Sequence, residues 1–270
     1  MLTCCNHGHC IHDALFIYFF HLYYFLFLLF YKFNIFHSCV LCISFLLKAI
    51  EKLVDRHIKE TVVNVYPLSD SQHAYQSGRS TDTALYCLSS ILEKTLSHKE
   101  TALAVFLDIE GAFDRVPIPT ILRALKRRNI DDTIISWIEC FLSCRYINAS
   151  LGGDDLTIHA NAGCPQGGVL SPILWCLVVD SLLEDLKSLN LFCISYADDD
   201  VIVVRGRFLN TISIIMTEGL KCVERWYNTD GLFVNPQKST MIVFTNKKIL
   251  ILGNSKFFIN KVLAYSENIK

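Results

Sequence analysis

The sequence predicts an α+β fold, and three observations carry that reading. Stretches with an apolar residue every three or four positions alternate with short runs of apolar and β-branched residues such as TALAVFLD and VIVV. The alternation lacks the strict strand-helix-strand rhythm of a doubly wound sheet. No segment repeats at a fixed period. With 270 residues, 52% of them hydrophobic, the chain has ample material for a packed core. A net charge of −1 and a pI near 6.7 exclude a global basic field, so any nucleic-acid partner must be met by a local patch.

Taken in order, FLLKAIEKLVDRHIKE places Leu46, Leu47, Ile50, Leu53, Val54 and Ile58 on one helical face with charges opposite. A Pro, Ser and Gly loop follows, and Ser80 or Thr81 can cap the next helix. Ala102 to Leu107 reads as a buried strand ending at Asp108, with a turn around Gly111. TILRALKRRNI and DTIISWIECFLSC are two further helices. RYINASLGG and LTIHANAG, parted by GGDD, suggest a hairpin. A long helix begins near Pro172, a residue suited to a first helical turn. LFCISYADDDVIVV is two apolar strands with a polar tip, TISIIMTEGLKCVERWYNTDG another helix, and LFVNPQKSTMIVFT a turn ending in a strand.

Residues 1–43 are a different text. Ala14 to Tyr31 is 18 residues without a formal charge, long enough to be a transmembrane candidate that would make the membrane a partner. Its flanks lack a basic n-region and a cleavage site, and its Phe, Tyr, Leu, Ile and Asn bias is also that of translated AT-rich noncoding DNA. Cys4, Cys5, His7, His9, Cys10 and His12 can each bind zinc, but they lack two separated ligand pairs. Most of the twelve cysteines sit singly, as in YCLSS, LWCLVV and LFCIS, as small hydrophobes in a reducing compartment do.

SYADDDVIVV sets Asp198, Asp199 and Asp200 among apolar residues, and Asp108 ends another strand. Carboxylates gathered at strand ends with no Lys or Arg nearby in sequence are what hard divalent cations need, with a solvated turn as the plainer alternative.

Several motifs in family order carry a resemblance. AVFLDIEGAFDRV, GCPQGGVLSPILW, SYADDDVIVV and GLFVNPQKSTMIVF, preceded by SQHAYQSGRSTDTAL, resemble the fingers segment and successive palm motifs of reverse transcriptases from non-LTR (LINE-type) retrotransposons. The resemblance covers residues 44–250 and implies a right-hand polymerase palm with partial fingers. It implies two-metal nucleotidyl transfer of dNTPs onto a primer 3′-hydroxyl, with magnesium, or manganese in its place, held by Asp108, Asp198 and Asp199. By the same resemblance Phe113 is the steric gate that selects deoxynucleotides, and Gln166 with Gly167 lies near the incoming sugar. Lys238 meets the leaving phosphate, and Arg79 faces triphosphate or template. RNA template, DNA primer and dNTP are the implied partners, and the nucleus is the implied compartment. Lys126, Arg127 and Arg128 are candidates for nucleic-acid backbone contact.

Two departures stand out. Tyr75-Gln76 replaces the family's Phe-Arg, and Asp200 replaces the apolar or hydroxyl residue after the catalytic pair, where at the hairpin's edge it is expected to face water. Residues 251–270 are expected to be a truncated approach to the primer grip, in a fragment without thumb or endonuclease. Two readings from other classes stand beside the polymerase: a catalytically inactive retroelement relic, and a membrane-anchored, polymerase-like binding protein.

Overall fold

The computed structural model describes residues 40–151, 154–235 and 237–246. The candidate span at 14–31, the Cys and His run at 4–12 and the stretch 251–270 lie outside the described residues. Among the described residues no helix is long and apolar enough to cross a membrane. The chain divides into two compact units, Met1–Ile50 and Glu51–Lys270. Of the first, the described part is the opening of α1 (Val40–His57), and every later element belongs to the second.

The elements after α1 are a π-helix (Ile58–Val63), α2 (Thr81–Ser97), β1 (Thr101–Asp108), the short α3 (Ala112–Arg115), α4 (Ile118–Arg127) and α5 (Asp132–Ser143). A separate hairpin of β2 (Tyr146–Leu151) and β3 (Asp154–His159) leads to α6 (Ser171–Ser188), and β4 (Phe192–Tyr196), β5 (Asp199–Gly206), α7 (Leu209–Asp230) and β6 (Thr240–Phe244) complete the set. The main sheet has the order β4-β5-β1-β6, all antiparallel. Residues 71–73 extend it beyond β4: His73 N–H donates to Ser195 O and Ser195 N–H donates to Ser71 O, both at 2.8 Å.

Local chemistry explains the boundaries. Ser80 caps α2 through a reciprocal pair, its Oγ accepting from Thr83 N–H while Thr83 Oγ1 accepts from Ser80 N–H; losing such a cap costs about 1 kcal/mol. Gly231, at φ +66°, ends α7 in the left-handed conformation that side chains resist. Alternation along the strands gives the sheet two apolar faces. Ala102, Ala104, Phe106, Ile194, Val201 and Val203 pack against α2. The residues between them, Leu103, Val105, Leu107, Ile202 and Val204, are buried on the side of α6 and α7. Helix α6 is buried nearly all round, as a helix in the middle of a core must be.

Its one deep charge, Asp180, is fully answered. Oδ1 accepts from Ser69 N–H at 2.7 Å and Oδ2 meets the Arg128 guanidinium, which also donates to Tyr66 O at 2.8 Å. Of the three cations read as a nucleic-acid edge, Arg128 is therefore turned inward, while Lys126 and Arg127 stay exposed.

Candidate active site

Register brings two of the expected carboxylates together. Asp108 is the last residue of β1 and Asp199 the first of β5, and they are cross-strand partners. Asp198 follows Ala197 in the two-residue turn between β4 and β5. Ala197 sits at φ +58°, a conformation that glycine takes more readily, so the tip holds a strained residue. Alternation puts Asp108 and Asp199 on the α2 face, where a cavity of about 380 Å³ opens beside Asp199, lined also by Thr81, Leu85, Leu88, Phe106 and Tyr196. This partly apolar setting raises the Asp199 carboxyl above its ordinary range, and the Asp198 and Asp108 carboxylates add to the rise. The three do not converge on one point: among the described residues no group of three or more His, Cys, Asp or Glu is placed to hold an ion.

Lys238 reaches the same place from the turn before β6. Its Nζ stands 3.7 Å from Asp108 Oδ2. The turn is tied to the Asp108 backbone: Asn235 N–H donates to Asp108 O at 2.8 Å, and Ser239 Oγ accepts from Asp108 N–H at 3.3 Å. Asn235 Oδ1 accepts from the N–H groups of Gln237 and Lys238, an Asx turn that sets where the lysine starts. Asn235 and Ser239 do not stand out in the sequence as site residues, although the Asn-x-x-Lys-Ser spacing suggests a turn.

Phe113 lies between two aromatic rings, edge-on to Tyr75 at 6.3 Å and tilted against Trp175 at 5.6 Å. Trp175 Nε1–H donates to Ala197 O at 2.6 Å, so one side chain of α6 touches both the candidate gate and the hairpin turn. Burial raises the Tyr75 phenol, as do Cys176 and Asp198 nearby. The residue that departs from the family's Phe thus keeps an aromatic packing role.

The loop before α6 is clipped to α3. Cys164 N–H donates to Phe113 O at 2.6 Å and Gly163 N–H to Val116 O at 2.8 Å, and a Cβ on Gly163 would stand 2.3 Å from Asp114 O. Arg145 donates to Ala162 O and Gly163 O, and Glu51 Oε2 accepts from Val169 N–H at 2.7 Å. Within this frame Gly167 takes φ +74°, and Gln166 Nε2–H donates to Asp114 Oδ1 at 3.0 Å and Oδ2 at 3.1 Å.

Arg79 is engaged within its own loop, its Nη2 standing 3.4 Å from Asp70 Oδ1. Its Nη1 donates to Asp70 O and Gln72 O, which folds the loop that pairs with β4. Asp200 corrects an expectation: it does not face water at the hairpin's edge but is 5% exposed. It stands opposite Ser195, which neighbours Gln72, and on this face Tyr227 of α7 also approaches. Both Asp200 oxygens, Ser195 Oγ, both Gln72 amide atoms and Tyr227 Oη are buried without a hydrogen-bond partner. Burial pushes the Asp200 carboxyl up to about 7. The nearby Ser195 hydroxyl opposes the rise, and the Asp199 and Asp198 charges add to it. The hydroxyl is close enough to be felt yet stands outside bonding geometry.

Comparison with known proteins gives the family. The chain is 24% identical over 212 residues to the RNA-directed DNA polymerase from mobile element jockey of Drosophila melanogaster, a match covering 75% of this chain and 23% of the relative. It is 31% identical over 154 residues to the Pol polyprotein of the R2 retrotransposable element of Popillia japonica, covering 53% and 24%. It thus spans about a quarter of the length of these relatives. Among solved structures, apo telomerase from Candida tropicalis superposes with a TM-score of 0.52 at 14% identity, over 73% of this chain and 40% of that one, a likeness of fold. The family model described as reverse transcriptase (RNA-dependent DNA polymerase) matches residues 37–255, and the chain belongs to that family.

Proposed function

We propose that residues 44–250 are the fingers and palm of an RNA-directed DNA polymerase that adds dNTPs to a primer 3′-hydroxyl on an RNA template. The observation that carries this reading is the cross-strand pairing of Asp108 with Asp199 beside the Asp198 turn, with Lys238 at its edge. The donor set fits a hard divalent cation. Its atoms are all carboxylate oxygens, and their mutual repulsion is felt at Asp199. Magnesium is commonly held by one or two carboxylates plus substrate phosphates, so a closed three-ligand cage is not required. Asp108, Asp198 and Asp199 would hold magnesium, or manganese in its place, which when bound supplies neutralisation of phosphate charge and a more acidic attacking hydroxyl.

The other roles belong to side chains. Lys238, whose Nζ stands 3.7 Å from Asp108 Oδ2, would donate to the departing phosphate. Phe113, held between Tyr75 and Trp175, is a fixed wall against a ribose 2′-hydroxyl, which makes the substrate a deoxynucleotide. Gln166 and Gly167 meet the sugar side of the nucleotide. Arg79 shapes the fingers loop, and its Nε edge is the part left to meet a phosphate. Priming at chromosomal DNA would place the reaction in the nucleus.

The purified full chain, given RNA template, annealed DNA primer, dNTPs and magnesium, is expected to extend the primer, and Asp198→Asn to abolish extension. Absence of any product from the unsubstituted chain would sink the proposal and favour an inactive relic. Extension surviving in the variant would remove Asp198 from the metal set.

A further inference from the structure

We propose that Asp114 is a positioning residue: it sets which way round the Gln166 amide stands, so that the site offers an acceptor oxygen to the sugar hydroxyl of the incoming nucleotide. The last clause rests on the polymerase reading; the first stands on geometry alone. The nitrogen and oxygen of a glutamine amide are close in size and shape, and the neighbour decides between them. Here the neighbour is a carboxylate, which only accepts, and both of its oxygens lie within 3.1 Å of Gln166 Nε2. The opposite orientation would set Oε1 against two negatively charged oxygens.

Asp114 can serve this purpose because the adjacent Arg115 is engaged elsewhere, with Glu110 at 2.7 Å. Backbone hydrogen bonds fix the distance between the two residues. Cys164 N–H and Gly163 N–H join the loop to Phe113 O and Val116 O on either side of Asp114, and Ser171 Oγ–H donates to Pro165 O at 2.7 Å. With Nε2 held by Asp114, Oε1 is turned away from it and accepts a hydrogen bond. The hydroxyl of a deoxynucleotide sugar is the matching donor, and a 2′,3′-dideoxynucleotide lacks it.

The test is equilibrium binding of dATP and 2′,3′-dideoxy-ATP, with magnesium, to the full chain and to Asp114→Ala and Asp114→Asn. Loss of one oriented hydrogen bond is expected to weaken dATP about tenfold in Asp114→Ala while dideoxy-ATP stays within about twofold, with Asp114→Asn between. Equal weakening of both nucleotides, or of neither, overturns the inference. If the unsubstituted chain binds neither nucleotide, the polymerase reading has failed, and the side-chain amide signals of Gln166 in a ¹H–¹⁵N spectrum decide the rest. One slowly exchanging, shifted Nε2 proton that is lost in Asp114→Ala upholds the positioning role, and unchanged signals overturn it. Asp114→Asn keeps the test open if the alanine variant does not fold.

Discussion

Two aspartates are buried within one domain, and they are treated in opposite ways. Asp180, on α6, has both oxygens engaged, one by a backbone N–H and one by Arg128. Asp200, on β5 just after the β4–β5 turn, has neither, and the polar atoms around it are equally unanswered. Burying a carboxylate is costly unless it is paired or neutralised. At Asp180 the chain pairs it; at Asp200 burial instead favours the neutral acid, pushing the carboxyl up to about 7. The difference teaches that the core around Asp180 is satisfied, while β5, which begins at Asp199, harbours a local conflict two residues from Asp198.

The sharpest way to break the contrast is to create a second orphan. Arg128→Ala would leave Asp180 buried without its cation, and losses of that kind run to about 3–5 kcal/mol, here a fall in Tm on the order of 10 °C. A melt within a few degrees of the unsubstituted chain would show that Asp180 is not the anchored charge described.

The reverse change, at Asp200, removes an orphan. Asp200→Val restores an apolar residue on the face shared with Leu107 and Ile202, and is expected to stabilise by about 2 kcal/mol at neutral pH. Its pH dependence has a definite sign. An acid whose folded value is raised holds a proton that the unfolded chain has already released, so its stabilising contribution is complete below about pH 4 and is lost as pH rises to about 7. The groups that act on Asp200, namely Asp198, Asp199, Ser195, Cys193 and Tyr227, remain in the variant. The difference in Tm between variant and unsubstituted chain should therefore widen from pH 4 to 7 and level off above; a difference that is flat or narrows would refute the buried, protonated carboxyl.

Much of the fold is legible in the sequence because it is written in period and punctuation. The strand ending at Asp108, the cap at Ser80, the helix opening by Pro172 and the hairpin around Asp198 each follow from residues a few positions apart. What sequence cannot supply is long-range pairing. Arg128 looks like one of three surface cations because Asp180 lies 52 positions away, and the partner of Gln166 lies 52 positions back at Asp114. The face on which Asp200 falls depends on strand register, and a one-residue shift would have turned it to the other side of the sheet. Asn235 and Ser239 are silent in the sequence because they act on the Asp108 backbone, and no local pattern announces that.

The smallest expected effect divides the two regions with one substitution made twice. Ser181 and Ser195 are both buried, on α6 and β4, and Ser→Ala removes the same hydroxyl from each. Ser181 Oγ donates to Val178 O and accepts from Trp226 Nε1–H at 2.8 Å, so Ser181→Ala strands an indole N–H and is expected to cost about 1 kcal/mol. Ser195 Oγ has no partner, so its loss removes an unanswered group and should leave stability unchanged or raise it by a few tenths of a kcal/mol. Paired denaturant titrations measure the two directly. If Ser195→Ala were instead as costly as Ser181→Ala, the hydroxyl would be bonded to Asp200 after all. The row behind the hairpin would then be a satisfied network like the one around Asp180, and the stabilisation expected of Asp200→Val would shrink with it.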